Sequence, residues 1–310
     1  MSAAARRAAP VAAGLLADRL LGEPPGAWHP VAGFGRAMQT LEAWCYRDSR
    51  RRGVLYAAAG IGGSALVGLG PGRCRSPLIR TAATAAATYL CVAEQALERA
   101  ASDVADPLAA GNLDTARLRL RSLVGRDPAN LDESEIARAV VESVAENAVD
   151  AVVAPAVWAL VGGAPAVLAY RATNTLDAMV GHRSARYGRF GWAAARSDDA
   201  ANWIPARLTA ALVVAVRPRR APEVWRAVRL QAPGHPSPNA GVAEAAFAAA
   251  LGVRLGGVND YDGILERRPD LGFGAPAGVG DIDRARTLLR HVTGAMAAVL
   301  CVVAAGRARR

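Results

Sequence analysis

The chain has 310 residues, of which 52% are hydrophobic and 21% charged, with a mean hydropathy of +0.15. That length holds two soluble domains or one helical membrane domain with sizeable loops. The net charge is +10 and every basic residue is arginine. The arginines gather at the ends of apolar runs (Arg50, Arg51 and Arg52; Arg217, Arg219 and Arg220; Arg307, Arg309 and Arg310), the pattern of membrane-flanking charge rather than of a nucleic-acid footprint. Cys45, Cys74, Cys91 and Cys301 lack paired spacing, so neither a zinc site nor a disulfide framework is indicated, and a reducing compartment fits.

Alanine inflates the mean hydropathy, so the apolar windows decide the class. The first runs from Ala8 to Leu21 and carries Asp18, either at the interface end of an anchor helix or facing a bundle interior. No small-residue cleavage site follows it, and the spacing predicts a retained first helix. The prolines of GEPPGAWHPV end that helix and present His29. An amphipathic stretch from Phe34 to Tyr46 is predicted to lie along the membrane surface.

Gly53 to Gly70 and Pro77 to Ala96 each approach the roughly 20 residues needed to span hydrocarbon. Small residues dominate both, and the turn PGRCRS between them predicts a helical hairpin. From Ser102 to Arg126 the spacing of Leu113, Ala116, Leu120 and Leu123 predicts an amphipathic surface helix. Asp132 and Glu135 then form a capping box opening a further helix.

On that helix Glu142, Glu146 and Asp150 recur every four residues, with Ser143 and Asn147 on an adjoining stripe. Like charges at this spacing destabilise a helix by a few tenths of a kcal/mol per pair. A bound cation or cationic substrate offsets that cost. The alternative is a solvated face partnered by Arg138. The next apolar run, Ala151 to Ala169, is broken by Pro155, Gly162-Gly163 and Pro165. If it spans, the polar residues before and after it fall on opposite sides of the membrane. If both serve one site, the run is a re-entrant hairpin or two half-helices.

Tyr170 to Arg207 is the densest polar stretch. Asn174 and Asp177 lie three apart, and Asp198, Asp199 and Asn202 form a DDxxN cluster. Grouped hard oxygens suit Mg²⁺, held by one or two carboxylates plus substrate phosphate. Arg171, Arg183, Arg186, Arg189, Arg196 and Arg207 surround them and suit phosphate or carboxylate, or else close a salt-bridged loop. Trp203 to Val216 is apolar, HPSPNAG turns into an alanine-rich helix bearing Glu244, and Leu288 to Gly306 is the last apolar run. There is no Walker A loop. The expectation is an all-α, polytopic integral membrane helical bundle, a single domain over 1–310 with its polar active region at 129–207. Arginine flanks nearly every run, so topology stays open.

At this point the chain resembles a known family. The patterns ES-x-x-EN-x-x-D (Glu142 to Asp150), Y-x-x-x-NTLD-x-M-x-G (Tyr170 to Gly181), RY-x-x-FG (Arg186 to Gly191), AR-x-DD-x-x-N-x-x-PAR (Ala195 to Arg207) and SPNAG (Ser237 to Gly241) are similar to the CobD/CbiB family of cobalamin biosynthesis. The opening LLADRLLGEP and HPV match too, with Gly22-Glu23-Pro24 where the family usually has GDP. The resemblance covers most of the chain in the same order. It implies a multi-pass inner-membrane enzyme, its active site facing the cytoplasm, that joins adenosylcobyric acid to (R)-1-amino-2-propanol or its O-phosphate. The reaction it implies is ATP-dependent amide synthesis with Mg²⁺, and the corrinoid is substrate. It leaves open a homo-oligomer and partners among other cobalamin-assembly membrane proteins.

Fitted to that chemistry, Asp198 and Asp199 are the expected metal ligands. Glu146 and Asp150 are expected as base or amine-recognition groups, with Asn147 and Asn174 orienting polar groups and Asp177 joining either set. Arg171, Arg196 and Arg207 are assigned to phosphate, with Glu142, Asn202, Asn239 and His29 in substrate binding. A transporter and a non-catalytic scaffold of corrinoid assembly are the competing classes. The single central polar block, without matched halves, speaks against transport.

Overall fold

The computed structural model describes residues 3–24, 29–125, 127–182, 184–261 and 264–308; Arg183, Arg309 and Arg310 lie outside them. The protein is mostly helical. In chain order come α1 (Ala3–Leu21), α2 (Pro30–Cys45), α3 (Arg50–Gly72), α4 (Pro77–Cys91), α5 (Glu94–Ala109), α6 (Leu113–Leu120) and α7 (Glu133–Ala148). A π-helical turn (Val149–Val153) leads into α8 (Ala154–Gly162) and then α9 (Ala164–Leu176), which a second π turn (Asp177–Gly181) closes. α10 (Trp192–Val216), α11 (Ala221–Leu230) and α12 (Ala240–Leu251) follow, then β1 (Val253–Tyr261), β2 (Ile264–Leu271), β3 (Ala275–Pro276) and α13 (Val279–Ala308).

Among the described residues three helices are long and apolar enough to cross a membrane: Arg50–Pro71, Glu133–Gly162 and Val279–Gly306. They are fewer than the apolar runs of the sequence. The expected span at Pro77–Ala96 is not one helix. α4 stops at Cys91, Val92 is extended, and Ala93 N–H turns away to donate to Ala151 O at 3.0 Å. α5 then starts on a buried Glu94.

The chain divides into two compact units. The first comprises Met1–Ala93, Asp150–Asn202 and Ala297–Arg310. Within it α1 packs on α4 and α8, and α3 lies along α9. Gly68 permits that last approach, because a Cβ there would overlap Pro165 at the head of α9. Asp18 is fully buried, so it faces the interior of this unit rather than marking an interface. The broken run at 151–169 resolves into two half-helices. α8 ends at Gly163, whose φ of 70° favours glycine, and α9 begins at once and packs back on α8. From Asp150 to the break is ~18 Å at ~1.5 Å per residue, short of the ~30 Å hydrocarbon core. The hairpin returns α9 towards the level of Asp150.

The second unit comprises Glu94–Val149 and Trp203–Met296. Its centre is α12, in which every residue from Ala240 to Leu251 is buried. The alanines let α7, α11 and β1 close around it. The capping box opens α7 as expected, with Asp132 and Glu135 each accepting the other's backbone N–H. The predicted surface helix is α5 and α6, separated at Ala110–Asn112, with Ala116 and Leu120 buried.

The sheet in this unit departs from the all-α expectation. Its order is β2-β1-β3, with β1 antiparallel to β2 and parallel to β3. The glycine-rich LGVRLGG, to which the sequence reading assigned no strand, leads into β1. Gly252 ends α12 in the left-handed conformation, and Val253 and Leu255 then turn inward on either side of exposed Arg254.

Candidate active site

The α8–α9 hairpin gathers the central polar residues of the first unit into a closed ring. Asn174, on α9, donates through Nδ2 to Asp150 Oδ2 at 2.9 Å and to Asp198 Oδ1 at 3.4 Å. Asn202 donates to Asp198 Oδ2 at 3.0 Å and accepts from Tyr170 Oη at 2.9 Å. Tyr170 closes the ring by sharing its one O–H between Asn202 and the Asp150 carbonyl, the latter at 3.2 Å. Two i,i+4 pairs, Tyr170 with Asn174 and Asp198 with Asn202, point along one face of α9 and of α10. Trp158, on α8, holds α10 in place by donating to Ala201 O at 3.1 Å.

The ring is half-buried, with Tyr170 and Asn202 at its closed side, and a single amide bridges its two acids. Asn202 is 1% exposed and Tyr170 2%. Burial drives Asp198 up to about 6; donation from Asn202 and Asn174 opposes the shift, and neighbouring Asp199 adds to it. Burial first, then Asp150 and Asp198, push the Tyr170 hydroxyl well above its ordinary range, so it stays a donor. A carboxylate that titrates near neutrality beside a second acid is suited to accepting a proton from a bound cation.

The other expected residues of this unit sit around the ring without joining it. Asp177 lies in the second π turn with its carboxylate against Gly181, where any Cβ would overlap it. That explains the NTLD-x-M-x-G spacing. Asp199 pairs with Arg196 at 3.3 Å, with side chains 30% and 64% exposed. Successive helical residues point ~100° apart, so Asp198 turns into the ring and Asp199 outward. Among the described residues no group of three or more His, Cys, Asp or Glu side chains converges to hold a metal ion. The donors fit an ion carried in on substrate phosphates, not a resident protein cage.

His29 caps α2 by accepting from Val31 N–H through Nδ1 at 3.2 Å. The RY-x-x-FG motif is scaffolding. Arg186 donates to buried Glu42 at 2.9 Å and stacks 4.1 Å from the Tyr46 ring, and Tyr187 donates to Glu42 at 2.9 Å. Phe190 enters a core with Tyr56, Met38 and Leu176.

In the second unit the α7 stripe divides. Glu142 is buried, against the expectation of a solvated or substrate-facing carboxylate. It accepts from Gly256 N–H at 2.9 Å and lies 3.9 Å from Arg138, which donates to the carbonyls of Gly256 and Val258. These groups fasten β1 to α7. Asn147 donates to Ser143 O at 2.9 Å, and Ser143 in turn to Leu123 O at 3.0 Å. Glu146 is exposed. Arg207 donates to Asn239 Oδ1 at 3.0 Å and stacks 4.5 Å from the Trp203 ring.

Sequence reading missed Tyr170 and Glu42 as site and scaffold residues. The four-residue spacing of Tyr170 to Asn174 was a usable signal; nothing near Glu42 pointed to a partner 144 residues away.

Fold and site define a mostly helical protein of the membrane type, with paired acids and amides enclosed at the open end of a helical hairpin. The profile described as CobD/Cbib protein matches residues 11–289. The chain is 49% identical to the "Cobalamin biosynthesis protein CobD" of Mycobacterium tuberculosis (strain CDC 1551 / Oshkosh), over 98% of this chain and 97% of that one. It is 44% identical to the protein of that name from Chromobacterium violaceum (89% and 90% covered) and 41% to that of Halalkalibacterium halodurans (91% of each). This chain belongs to the CobD/CbiB family. No solved structure matches it.

Proposed function

We propose that this protein acts in cobalamin biosynthesis as an adenosylcobinamide-phosphate synthase of the inner membrane. It forms the amide between adenosylcobyric acid and (R)-1-amino-2-propanol or its O-phosphate. Family membership supports the pathway. The observation that carries the reaction is the ring of Asp150, Asn174, Asp198, Asn202 and Tyr170, with Asp198 raised to about 6.

A free carboxylate is a poor acyl donor, so the propionate first takes the γ-phosphoryl group of ATP, giving an acyl phosphate and ADP. The primary ammonium of the second substrate docks against the Asp150 and Asp198 carboxylates, beside the Asn174 amide that bridges them. Asp198 accepts its proton. The freed lone pair attacks the acyl carbon, the C–O bond to phosphate breaks, the second N–H proton passes to the departing phosphate, and amide and inorganic phosphate leave. Asn174 and Asn202 hold both carboxylates in line, and Tyr170 stays protonated to hold Asn202. Of the two expected metal ligands, Asp198 is kept for the proton, and Asp199, turned outward, would hold Mg²⁺, which when bound neutralises phosphate charge. Within the same unit Arg196 is assigned to phosphate.

The test is reconstitution. Purified protein in nanodiscs receives adenosylcobyric acid, aminopropanol phosphate and MgATP, with corrinoids resolved by mass. The expected result is a mass gain equal to amide formation that needs every component and disappears in Asp198→Asn. Folded protein that makes no product, even with membrane extract added, overturns the assignment.

A further inference from the structure

The first unit holds a cavity of about 220 Å³ on a different stripe of α9 from the ring. Leu168, Arg171, Ala172 and Thr175 line it from α9, at the spacing of one helix face. Val31 and Phe34 come from α2, Val67 from α3 and Leu90 from α4. The lining is almost wholly apolar except for the guanidinium of Arg171.

That guanidinium is partly buried and has no hydrogen-bond or ion-pair partner among the described residues; its Nε is shut off from solvent with no acceptor. His29, next to the cavity-lining Pro30, is 9% exposed, and its Nε2 likewise lacks a partner among the described residues. Two buried nitrogens without acceptors, in a protein whose other core arginines meet carboxylates or carbonyls, cost stability unless a ligand supplies oxygen. Val67 at the rim is 71% exposed, beside Leu66 at 63%, on a helix apolar enough to lie in a membrane. The mouth therefore opens on an apolar surface. The volume exceeds the ~150 Å³ that holds a benzene-sized guest and falls below the ~300 Å³ at which drug-sized sites begin, so a corrinoid ring does not fit.

We propose that this cavity binds an anionic amphiphile, with a phosphate or carboxylate on Arg171 and a short apolar chain filling the space between α2, α3, α4 and α9. The acid group and the chain are the shared chemistry of two sources, an acidic membrane lipid and a small soluble phosphate ester. The proposal stands on the cavity and its two nitrogens and uses none of the ring residues; only the aminopropanol phosphate arm of its test borrows a substrate of the proposed reaction.

Full-length protein in phosphatidylcholine nanodiscs is titrated with hexyl phosphate, with hexanol and with inorganic phosphate, reading affinity by calorimetry and melting temperature. Hexyl phosphate is expected to bind and raise the melting temperature, with hexanol and inorganic phosphate each at least ~10-fold weaker, since each keeps half of the recognition. Arg171→Met should lose at least ~10-fold in hexyl phosphate affinity and Arg171→Lys should recover part of it. Ser64 also lines the cavity from α3, so Ser64→Phe, which fills the space and leaves Arg171 in place, should lose binding while circular dichroism shows a folded chain. Repeating the titration with phosphatidylglycerol in the disc separates the sources. Competition by phosphatidylglycerol assigns a lipid, and unaltered hexyl phosphate binding displaced by aminopropanol phosphate assigns a soluble ester. Equal binding by wild type, Arg171→Met and Ser64→Phe overturns the proposal, as does inorganic phosphate binding as tightly as hexyl phosphate.

Discussion

Two acid-and-amide stripes with the same four-residue spacing have different fates in this molecule. On α7, Glu142 meets a backbone N–H of β1 and the guanidinium of Arg138, so its charge has an opposite. On α10, Asp198 meets the amides of Asn174 and Asn202, with a second carboxylate, Asp150, on the first of those amides. The first arrangement is electrostatically closed and fastens a strand. The second sets two acids on one neutral donor and accommodates a cation. Spacing selects which residues share a face; the opposing group decides whether that face is scaffold or site.

The largest effect that breaks the comparison is Asp198→Asn. It is expected to lower amide formation by about 10²–10⁴-fold while leaving the fold intact. The sign of its pH dependence follows from Asp198 being raised to about 6 from 3.8. Its contribution to stability is full below about pH 4 and is lost as pH rises through about 6. Asp198→Asn should therefore melt progressively higher than wild type across that interval and hold its advantage above it, and wild-type turnover should rise through the same interval. Melting curves and rates from about pH 4 to 8 check both, and a wild-type rate flat across that range would remove Asp198 as the base.

Glu142→Ala should do the reverse. It strands the Gly256 N–H and Arg138, and a loss of about 3 kcal/mol is expected, read by denaturant or thermal unfolding. Residual activity per folded molecule should stay near wild type; a selective loss of turnover would move Glu142 from scaffold to site. Next in size is Gly181→Ala, which displaces the Asp177 carboxylate and should destabilise by about 1–3 kcal/mol. Asp199→Ala removes the solvent-screened pair with Arg196, for which less than about 1 kcal/mol is expected. If turnover falls steeply there without a change in melting temperature, and more Mg²⁺ restores part of it, Asp199 is a metal ligand.

Much of this was legible in the sequence where the cause is local. The capping box of Asp132 and Glu135 and the break at Gly162-Gly163 depend on neighbours within a few residues. The break also carried the condition that a hairpin must bring the acids before it to the amides after it, and Asp150 with Asn174 meets that condition. What stayed hidden depends on distant partners. Glu142 is buried because Gly256 lies opposite, 114 residues on. The pairing of β1 with β2 makes a strand of a glycine-rich segment that carries no strand signal of its own. Adjacent Asp198 and Asp199 read as one pair, but helical geometry sends them to different surroundings.

The π-helical turns at Val149–Val153 and Asp177–Gly181 carry a historical implication. A π turn is an α-helix with one surplus residue, and each of these two holds an acid, Asp150 or Asp177. Insertion, rather than substitution, is thus a route by which a plain helical hairpin acquires inward-facing acids. Deleting any one of Ala151, Val152 or Val153 would restore regular winding, rotate Asp150 about a quarter-turn away from Asn174, and return a quieter, ancestor-like helix in which the ring is lost.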